Sequence, residues 1–271
     1  MALEALSPAA FDFVIQVEQA YTKLIGTARA DREAGLGGTL FYAGELDEES
    51  RALIAAANIA GAATLTATAD RDAQKQAIRD GIADFLVNSL DEALRVLKNE
   101  LRKRETVAVC VGLAADAVER EMTERGVLPD LQRADLPKTR VPDALMEEIQ
   151  IVGENTEAVL DSSEMKSLVT WSVASAPAQW LPLLDAVALD CLDADAWPAR
   201  RWLRLAPRFL GRLAQGMRLI SADREFAARF IGRVRVKVER GEIGVAVELR
   251  TYYRRMEYVH RLVPGKAASE A

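Results

Sequence analysis

The sequence predicts an α/β protein that contains a doubly wound parallel sheet and a second, smaller α/β domain. Between residues 39 and 136, short apolar runs of strand length alternate with amphipathic segments of helical length. Strands that alternate with helices in this way are joined most economically as a parallel sheet with right-handed helical crossovers. The composition, 50% hydrophobic and 28% charged, is that of a chain that buries an ordinary core.

The first half of the chain predicts one long helix and then regular alternation. Apolar residues at helical spacing predict a helix over 9–34, which Gly35 ends. The elements predicted after it are strand 39–43, helix 48–62, strand 63–68, helix 71–80, strand 83–87, helix 89–104, strand 106–111, helix 114–125 and strand 128–131. Asp47 and Asp70 stand where side-chain N-caps are expected, and Ser89 begins the helix that runs to Arg104. Gly81 suits the left-handed position that closes a helix, and Gly126 ends the helix over 114–125.

The second half predicts a connector followed by another α/β unit. Residues 137–167 are rich in Pro, Glu, Asp and Ser, which is typical of a connector, with one helix expected near 143–150. Beyond it we predict strands 168–173, 217–220 and 244–252, and helices 177–190, 199–215 and 222–240. The predicted domains are an N-terminal helix (1–38), the first α/β domain (39–136), the connector (137–167), a second α/β domain (168–263) and a disordered tail (264–271).

Composition excludes several classes of function. No stretch reaches the roughly 20 uninterrupted apolar residues of a membrane span, and the first residues lack a signal core, so we expect a cytoplasmic protein with no membrane partner. Two cysteines, Cys110 and Cys191, and one histidine are too few for a disulfide framework or a metal cage. A pI near 5.2 and the lack of a recognisable motif argue against nucleic-acid binding.

Charge is distributed unevenly along the chain. The net charge is −6, yet the residues from 199 onward hold 17 Lys/Arg against 7 Asp/Glu. The basic end could meet an anionic partner, or the two halves could attract each other. Four arginines recur every fourth residue on a predicted helix that we expect to be interrupted near Pro207: Arg200, Arg204, Arg208 and Arg212. This stripe could bind phosphates or an acidic protein, or it could be a solvated face. Self-association as a homodimer is a further possibility.

Three stretches of the first domain resemble the central domain of urocanases. They are AANIAGAATL (56–65), IRDGIADFLVNSLDEAL (78–94) and RKRETVAVCVGLAADAVEREMTERGVLPDL (102–131). The resemblance implies a Rossmann-like fold. Urocanases use NAD as an electrophile in the hydration of urocanate. They surround the NAD domain with a catalytic core whose cysteine motif is not found in this sequence, so we assign no catalytic residue.

The cofactor loops of that family are altered in this chain. The family's glycine-rich turn GLGGM corresponds to the GELDEE stretch that begins at Gly44, so carboxylates stand where a diphosphate would lie. The ribose-binding Glu corresponds to Thr68, and Asp70 is the nearest carboxylate, although it could simply cap a helix. The polar Asn of LGNAA has become Leu113, after Gly112. The resemblance thus implies a degenerate NAD site made of Gly44, Thr68, Asp70, Gly112, Leu113 and Gln132.

Other conspicuous residues have structural interpretations. Cys110 lies near the end of a predicted central strand, and its apolar neighbours predict a buried filler rather than a nucleophile. His260 has no triad partner at a recognisable spacing, which predicts a surface or interface position. The four tryptophans are expected to build the core of the second domain: Trp171, Trp180, Trp197 and Trp202.

The leading hypothesis is a urocanase-like binding or interaction module with no hydratase activity. We expect no cofactor, or NAD if the family site still works. One alternative is a minimal or partner-completed lyase related to urocanate hydratase that uses NAD. The other is a regulatory subunit that binds an acidic partner through the arginine stripe.

Overall fold

A computed structural model describes residues 8–28, 30–137, 150–154, 167–253 and 256–264. The chain divides into two compact units. The N-terminal unit comprises residues 12–139 with 208–210, and the C-terminal unit comprises the remaining residues.

The N-terminal unit contains the alternating elements that the sequence predicts. They are α1 (Pro8–Thr27), β1 (Leu40–Glu45), α2 (Glu48–Ala60), β2 (Ala63–Ala67), α3 (Arg71–Arg79), β3 (Phe85–Val87), α4 (Leu90–Lys103), β4 (Val107–Val111), α5 (Ala115–Glu124), β5 (Leu131–Gln132) and a 3-10 turn (Arg133–Asp135). The predicted N-caps Asp47 and Asp70 accept backbone hydrogen bonds at the starts of α2 and α3. Ser89, which was expected to be the first residue of its helix, is the N-cap of α4 and accepts from the Glu92 N–H.

All five strands of this unit are parallel, in the order β3-β4-β2-β1-β5. Leu90 and Leu97 of α4 and Val118 of α5 join Leu65 and Val109 of the sheet in one hydrophobic cluster. Side chains alternate between the faces of a strand, so the opposite face of β1, β2 and β4 meets α2. The predicted parallel, doubly wound sheet is confirmed.

The strand order places a switch point between β2 and β4. The crossovers β1–α2–β2 and β2–α3–β3 run in one direction across the sheet, whereas β3–α4–β4 and β4–α5–β5 run in the other. Right-handed crossovers therefore put α3 and α5 on opposite faces. The adjacent strands β2 and β4 consequently lead to opposite faces, and the crevice above such a pair is the usual ligand position in open α/β sheets.

Two boundaries in this unit differ from the sequence prediction. Helix α1 ends at Thr27 rather than at residue 34, because the Asp31 side chain accepts hydrogen bonds from the N–H groups of Glu33 and Ala34, at 2.6 and 2.9 Å, and so turns the chain. The last strand is only Leu131–Gln132, since the Asp130 carboxylate binds the Leu40 N–H at 2.8 Å just before it.

The C-terminal unit is a second α/β unit with a largely antiparallel sheet. Its elements are β6 (Gln150–Glu154), β7 (Ser167–Val173), α6 (Pro177–Cys191), α7 (Trp197–Leu210), a 3-10 turn (Gly211–Ala214), β8 (Met217–Ala222), α8 (Arg224–Glu239), β9 (Val247–Tyr253) and β10 (Met256–Leu262). The strand order is β6-β10-β9-β7-β8, and only the β6–β10 pair is parallel. The helix predicted over 222–240 is confirmed, with Phe226, Phe230, Val234 and Val238 buried.

Several predictions for this half need correction. Residues 150–154 form β6 within the segment expected to be a connector, and β10 is a strand that the sequence reading missed. Helix α7 continues through Pro207 instead of breaking there. The helix expected near 143–150 and nearly all of the tail expected to be disordered fall on residues outside those described.

The core of the C-terminal unit uses two of its four tryptophans. Trp171 and Trp202 are buried, whereas Trp180 and Trp197 are partly exposed. His260 is also buried, on β10 opposite Leu249 of β9, so its predicted surface position is wrong. Within the described residues, no helix combines the length and apolar character needed to cross a membrane.

Candidate functional site

The residues proposed for cofactor binding lie at the carboxyl ends of four neighbouring strands. Gly44 belongs to β1, Thr68 follows β2, Gly112 follows β4, and Gln132 ends β5. Gly44 has a φ of 78° at a register shift between Tyr42 and Gly44, and a side chain added there would meet open space. Its backbone therefore still has the conformation that favours glycine.

The crevice between β2 and β4 is filled by the protein itself. The side chain of Gln74 on α3 is buried and donates from Nε2 to the carbonyl of Thr68 at 2.8 Å. A Cβ built on Gly112 would lie 3.4 Å from the same Nε2 atom. The Thr68 N–H donates to the Val111 carbonyl at 3.1 Å. The usual ligand crevice of the fold is thus closed by an amide side chain.

Asp70 is a helix cap rather than a free carboxylate. Its Oδ1 accepts hydrogen bonds from the N–H groups of Asp72 at 2.8 Å and Ala73 at 3.3 Å. This is the capping role that the sequence offered as the alternative to ribose binding. Leu113, in the loop before α5, presents an exposed apolar side chain where the family has a polar one.

The N-terminus of α2 is occupied by the carboxylate of Asp47. Its Oδ1 accepts from the Ser50 N–H at 2.8 Å, and Arg133 donates to its Oδ2 at 2.7 Å. Partial burial acts to raise the pKa of Asp47, but the hydrogen bonds from Arg133 and Ser50 outweigh it and hold that pKa below its usual value. Arg133 also pairs with Glu49 in the first turn of α2.

Arg133 compensates part of the negative charge of the GELDEE stretch (residues 44–49). The sequence predicts several unpaired negative charges after β1, whereas two of them, Asp47 and Glu49, share one guanidinium. Repulsion is therefore smaller than the sequence suggests. The obstacle to a diphosphate is instead that the amides it would need are already bound. Sequence reasoning missed Arg133 because the pairing of β5 with β1, which brings it there, was not foreseen.

The N-terminus of α5 also meets a carboxylate of this chain. Glu45, at the end of β1, accepts from the Ala115 N–H through Oε2 at a long 3.4 Å. The N-cap residue Ala114 offers no side-chain cap. A negative group at a helix N-terminus is stabilised by the helix dipole. The N-termini of α2 and α5 thus each donate a backbone hydrogen bond to a carboxylate of this chain.

A cavity of about 640 Å³ lies beside the end of β1. Its walls are formed by Lys23, Tyr42, Gly44, Glu45, Glu49, Leu53, Glu119, Gln132, Arg133, Ala134, Leu136 and Pro137. Of the residues proposed from the sequence, Gly44 and Gln132 line this cavity, whereas Thr68 and Gly112 lie at the closed crevice. Tyr42 donates from its hydroxyl to Glu119 Oε1 at 3.1 Å. Burial and the charge of Glu119 raise the pKa of this phenol.

The residues present do not fit an NAD diphosphate. The α2 N-terminus holds Asp47, the α5 N-terminus holds Glu45, and the β2–β4 crevice holds Gln74. The cavity that is open has three carboxylates on its wall, those of Glu45, Glu49 and Glu119. An anionic ligand would have to displace or oppose these groups.

Cys110 lies buried in the core of the first sheet. Burial, together with the charge of Glu45, raises the pKa of its thiol to about 11. The predicted role as a core filler is confirmed. Among the residues described here, no group of three or more His, Cys, Asp or Glu is arranged to hold a metal ion.

The four arginines of the stripe do not act as one surface. Arg200 donates to the carbonyls of Leu189 and Leu192, at 2.9 and 3.1 Å, and so caps the end of α6. Arg204, Arg208 and Arg212 are exposed. The first member of the stripe is therefore structural, and three remain accessible.

Comparison with known proteins agrees with the sheet topology of the N-terminal unit. The family model of the urocanase Rossmann-like domain matches residues 16–137. The match covers β1 to β5 and every residue that lines the cavity. The N-terminal unit is therefore similar to the urocanase Rossmann-like domain, and the resemblance of this chain to urocanases rests on residues 16–137.

Proposed function

We propose that this chain is a urocanase-like binding or interaction module whose dinucleotide position is closed, and that it has no hydratase activity of its own. One observation carries the proposal: Asp47 and Glu45 occupy the helix N-termini beside β1, where the family's fold would receive a diphosphate.

Two energetic penalties oppose the binding of a diphosphate at this position. Displacing Asp47 from its cap would cost about 1 kcal/mol. A phosphate charge placed about 5 Å from a remaining carboxylate adds on the order of 3 kcal/mol at an effective dielectric constant of about 20. Together these penalties weaken binding by roughly a thousandfold, since about 1.4 kcal/mol corresponds to a factor of ten.

Calorimetry with NAD tests the proposal directly. We expect no saturable heat for the wild-type chain in the micromolar range. Replacing both carboxylates, as Glu45→Gly with Asp47→Ser, keeps a hydroxyl cap on α2 and should create or strengthen NAD binding. Asp72→Asn, in the first turn of α3, is the matched control and should change nothing. Micromolar binding of NAD to the wild-type chain would overturn the proposal.

A lyase that uses NAD is the second candidate, and the retained left-handed Gly44 beside an open cavity supports it. Urocanate absorbance followed with purified chain and NAD separates the two. A constant absorbance agrees with the module. Consumption of urocanate that is lost in Gly44→Val would establish the lyase instead.

A third candidate is recognition of an acidic protein by the exposed residues Arg204, Arg208 and Arg212. No ion pair engages these three within the described part of the chain. Reversing Arg204 and Arg208 to Glu should abolish such a complex, whereas Arg224→Glu, on another helix, should not. Unchanged capture of the partner by the double variant would remove this candidate.

A further inference from the structure

The cavity beside β1 has the size of a small-molecule site. Its volume of about 640 Å³ lies within the roughly 300–1,000 Å³ that such sites occupy. Every wall residue belongs to the N-terminal unit, from α1, β1, α2, α5 and the segment 132–137. The site is therefore built by one unit alone.

Some charged residues of the cavity wall are already in ion pairs, and others are not. Arg133 is paired with Asp47 and Glu49, so its charge is already compensated. Within the described residues, Glu45 and Glu119 take part in no ion pair. Lys23 is then the one wall cation left against two free carboxylates, which gives the cavity a net negative character.

Both free carboxylates are oriented by neutral donors. The Tyr42 hydroxyl binds one oxygen of Glu119 at 3.1 Å, and the Ala115 N–H binds one oxygen of Glu45. A carboxylate can accept several hydrogen bonds, so each retains capacity toward the cavity. Tyr42 is 4% exposed, and both carboxylates raise the pKa of its phenol, so both lie within electrostatic range of it. The phenol therefore stays protonated and continues to hold Glu119.

We propose that this cavity binds a small organic cation, with its protonated amine or guanidinium held by Glu45 and Glu119. Charge-assisted hydrogen bonds from N–H donors to carboxylates are among the strong ones in proteins. A planar guanidinium can serve two carboxylates at once. The inference deepens the proposed binding function, on which it rests, by naming the class of ligand.

Titration of the full chain with agmatine tests the inference. Calorimetry should give saturable binding, and the backbone amide signals of Gly44 and Ala115 should move in nitrogen–proton correlation spectra. Glutarate, an anion of similar length, should give neither effect. The double variant Glu45→Gln with Glu119→Gln should weaken agmatine binding at least tenfold.

Glu124→Gln is the matched control, because this exposed carboxylate lies on α5 but not on the cavity wall. It should bind agmatine as the wild type does. If the double variant fails to fold by circular dichroism, Glu119→Gln alone serves, since a glutamine still accepts from Tyr42. Absence of saturable binding, equal binding of glutarate, or unchanged affinity in the carboxylate variants would each overturn the inference.

The two titrations separate the two claims. NAD binding without agmatine binding contradicts both the proposed function and the cation site. If neither molecule binds, the dinucleotide site is closed as proposed and only the cation site is refuted.

Discussion

Substitutions of Asp47 should measure how much the N-cap and the ion pair of this residue stabilise the start of α2. Asp47 accepts the Ser50 N–H at 2.8 Å and pairs with Arg133 at 2.7 Å. Asp47→Ala removes both interactions, whereas Asp47→Asn keeps an acceptor for the cap and removes only the charge.

The two contributions can be separated in magnitude. An N-cap side chain contributes about 1 kcal/mol to the free energy of unfolding. The ion pair is half exposed, with 45% of the Asp47 side chain and 31% of the Arg133 side chain accessible, so its share is about 0.5 kcal/mol. Asp47→Ala should therefore lower the free energy of unfolding by about 1.5 kcal/mol, and Asp47→Asn by about 0.5 kcal/mol.

The charge contribution should depend on pH in one direction. The pKa of Asp47 is lowered in the folded protein. The ionised carboxylate therefore stabilises the folded state at pH values above the pKa of about 3.9 that an Asp has in the unfolded chain. As pH falls through the lower folded pKa, this stability is lost. The difference between wild type and Asp47→Asn should thus shrink on acidification, while the difference between Asp47→Asn and Asp47→Ala should persist.

Urea denaturation followed by far-ultraviolet circular dichroism provides the measurement, with hydrogen exchange of the Ser50 amide as a local readout. Glu48→Ala, in the same turn, is the control and should cost only a few tenths of a kcal/mol. Equal loss in Asp47→Asn and Asp47→Ala would refute the assignment of the larger share to the cap. A wild-type advantage over Asp47→Asn that grows in acid would refute the charge assignment.

Two further predictions concern buried and capping groups. Cys110, with a thiol pKa of about 11, should at mildly alkaline pH have a thiolate fraction roughly 200-fold smaller than an ordinary thiol. It should resist Ellman's reagent until urea unfolds the chain, and rapid labelling of Cys110 in the native protein, located by peptide mass spectrometry, would contradict this. Arg200→Ala should lower the free energy of unfolding by about 1.5 kcal/mol because two carbonyls at the end of α6 lose a charged donor. Arg204→Ala, on the exposed side, should stay within about 0.5 kcal/mol, and equal losses in urea titrations would show that Arg200 is not the cap.

Local signals predicted the first sheet well. Asp47 and Asp70 are polar residues placed directly before amphipathic segments, and each proves to be an N-cap. Capping depends on residues within one turn of the helix, so the sequence contains what is needed. The helix of residues 224–239 was predictable for the same reason, since its apolar residues recur every four positions.

Sequence patterns failed where a strand depends on its neighbours. β6 has its place in the sheet only because it pairs with β10, which is about a hundred residues further along the chain. β5 is two residues long and owes its existence to β1. Short pairings of this kind leave little periodicity in the sequence to detect.

The sequence by itself determined that the first half is an alternating α/β unit that resembles the urocanase Rossmann-like domain and that acidic residues follow its first strand. Only the tertiary structure decided what those acidic residues do. Arg133 reaches Asp47 and Glu49 across 86 and 84 positions of the chain, and Tyr42 reaches Glu119 across 77. Spacing along the chain predicts contacts within a helical turn, but contacts between distant segments depend on which strands become neighbours in the sheet.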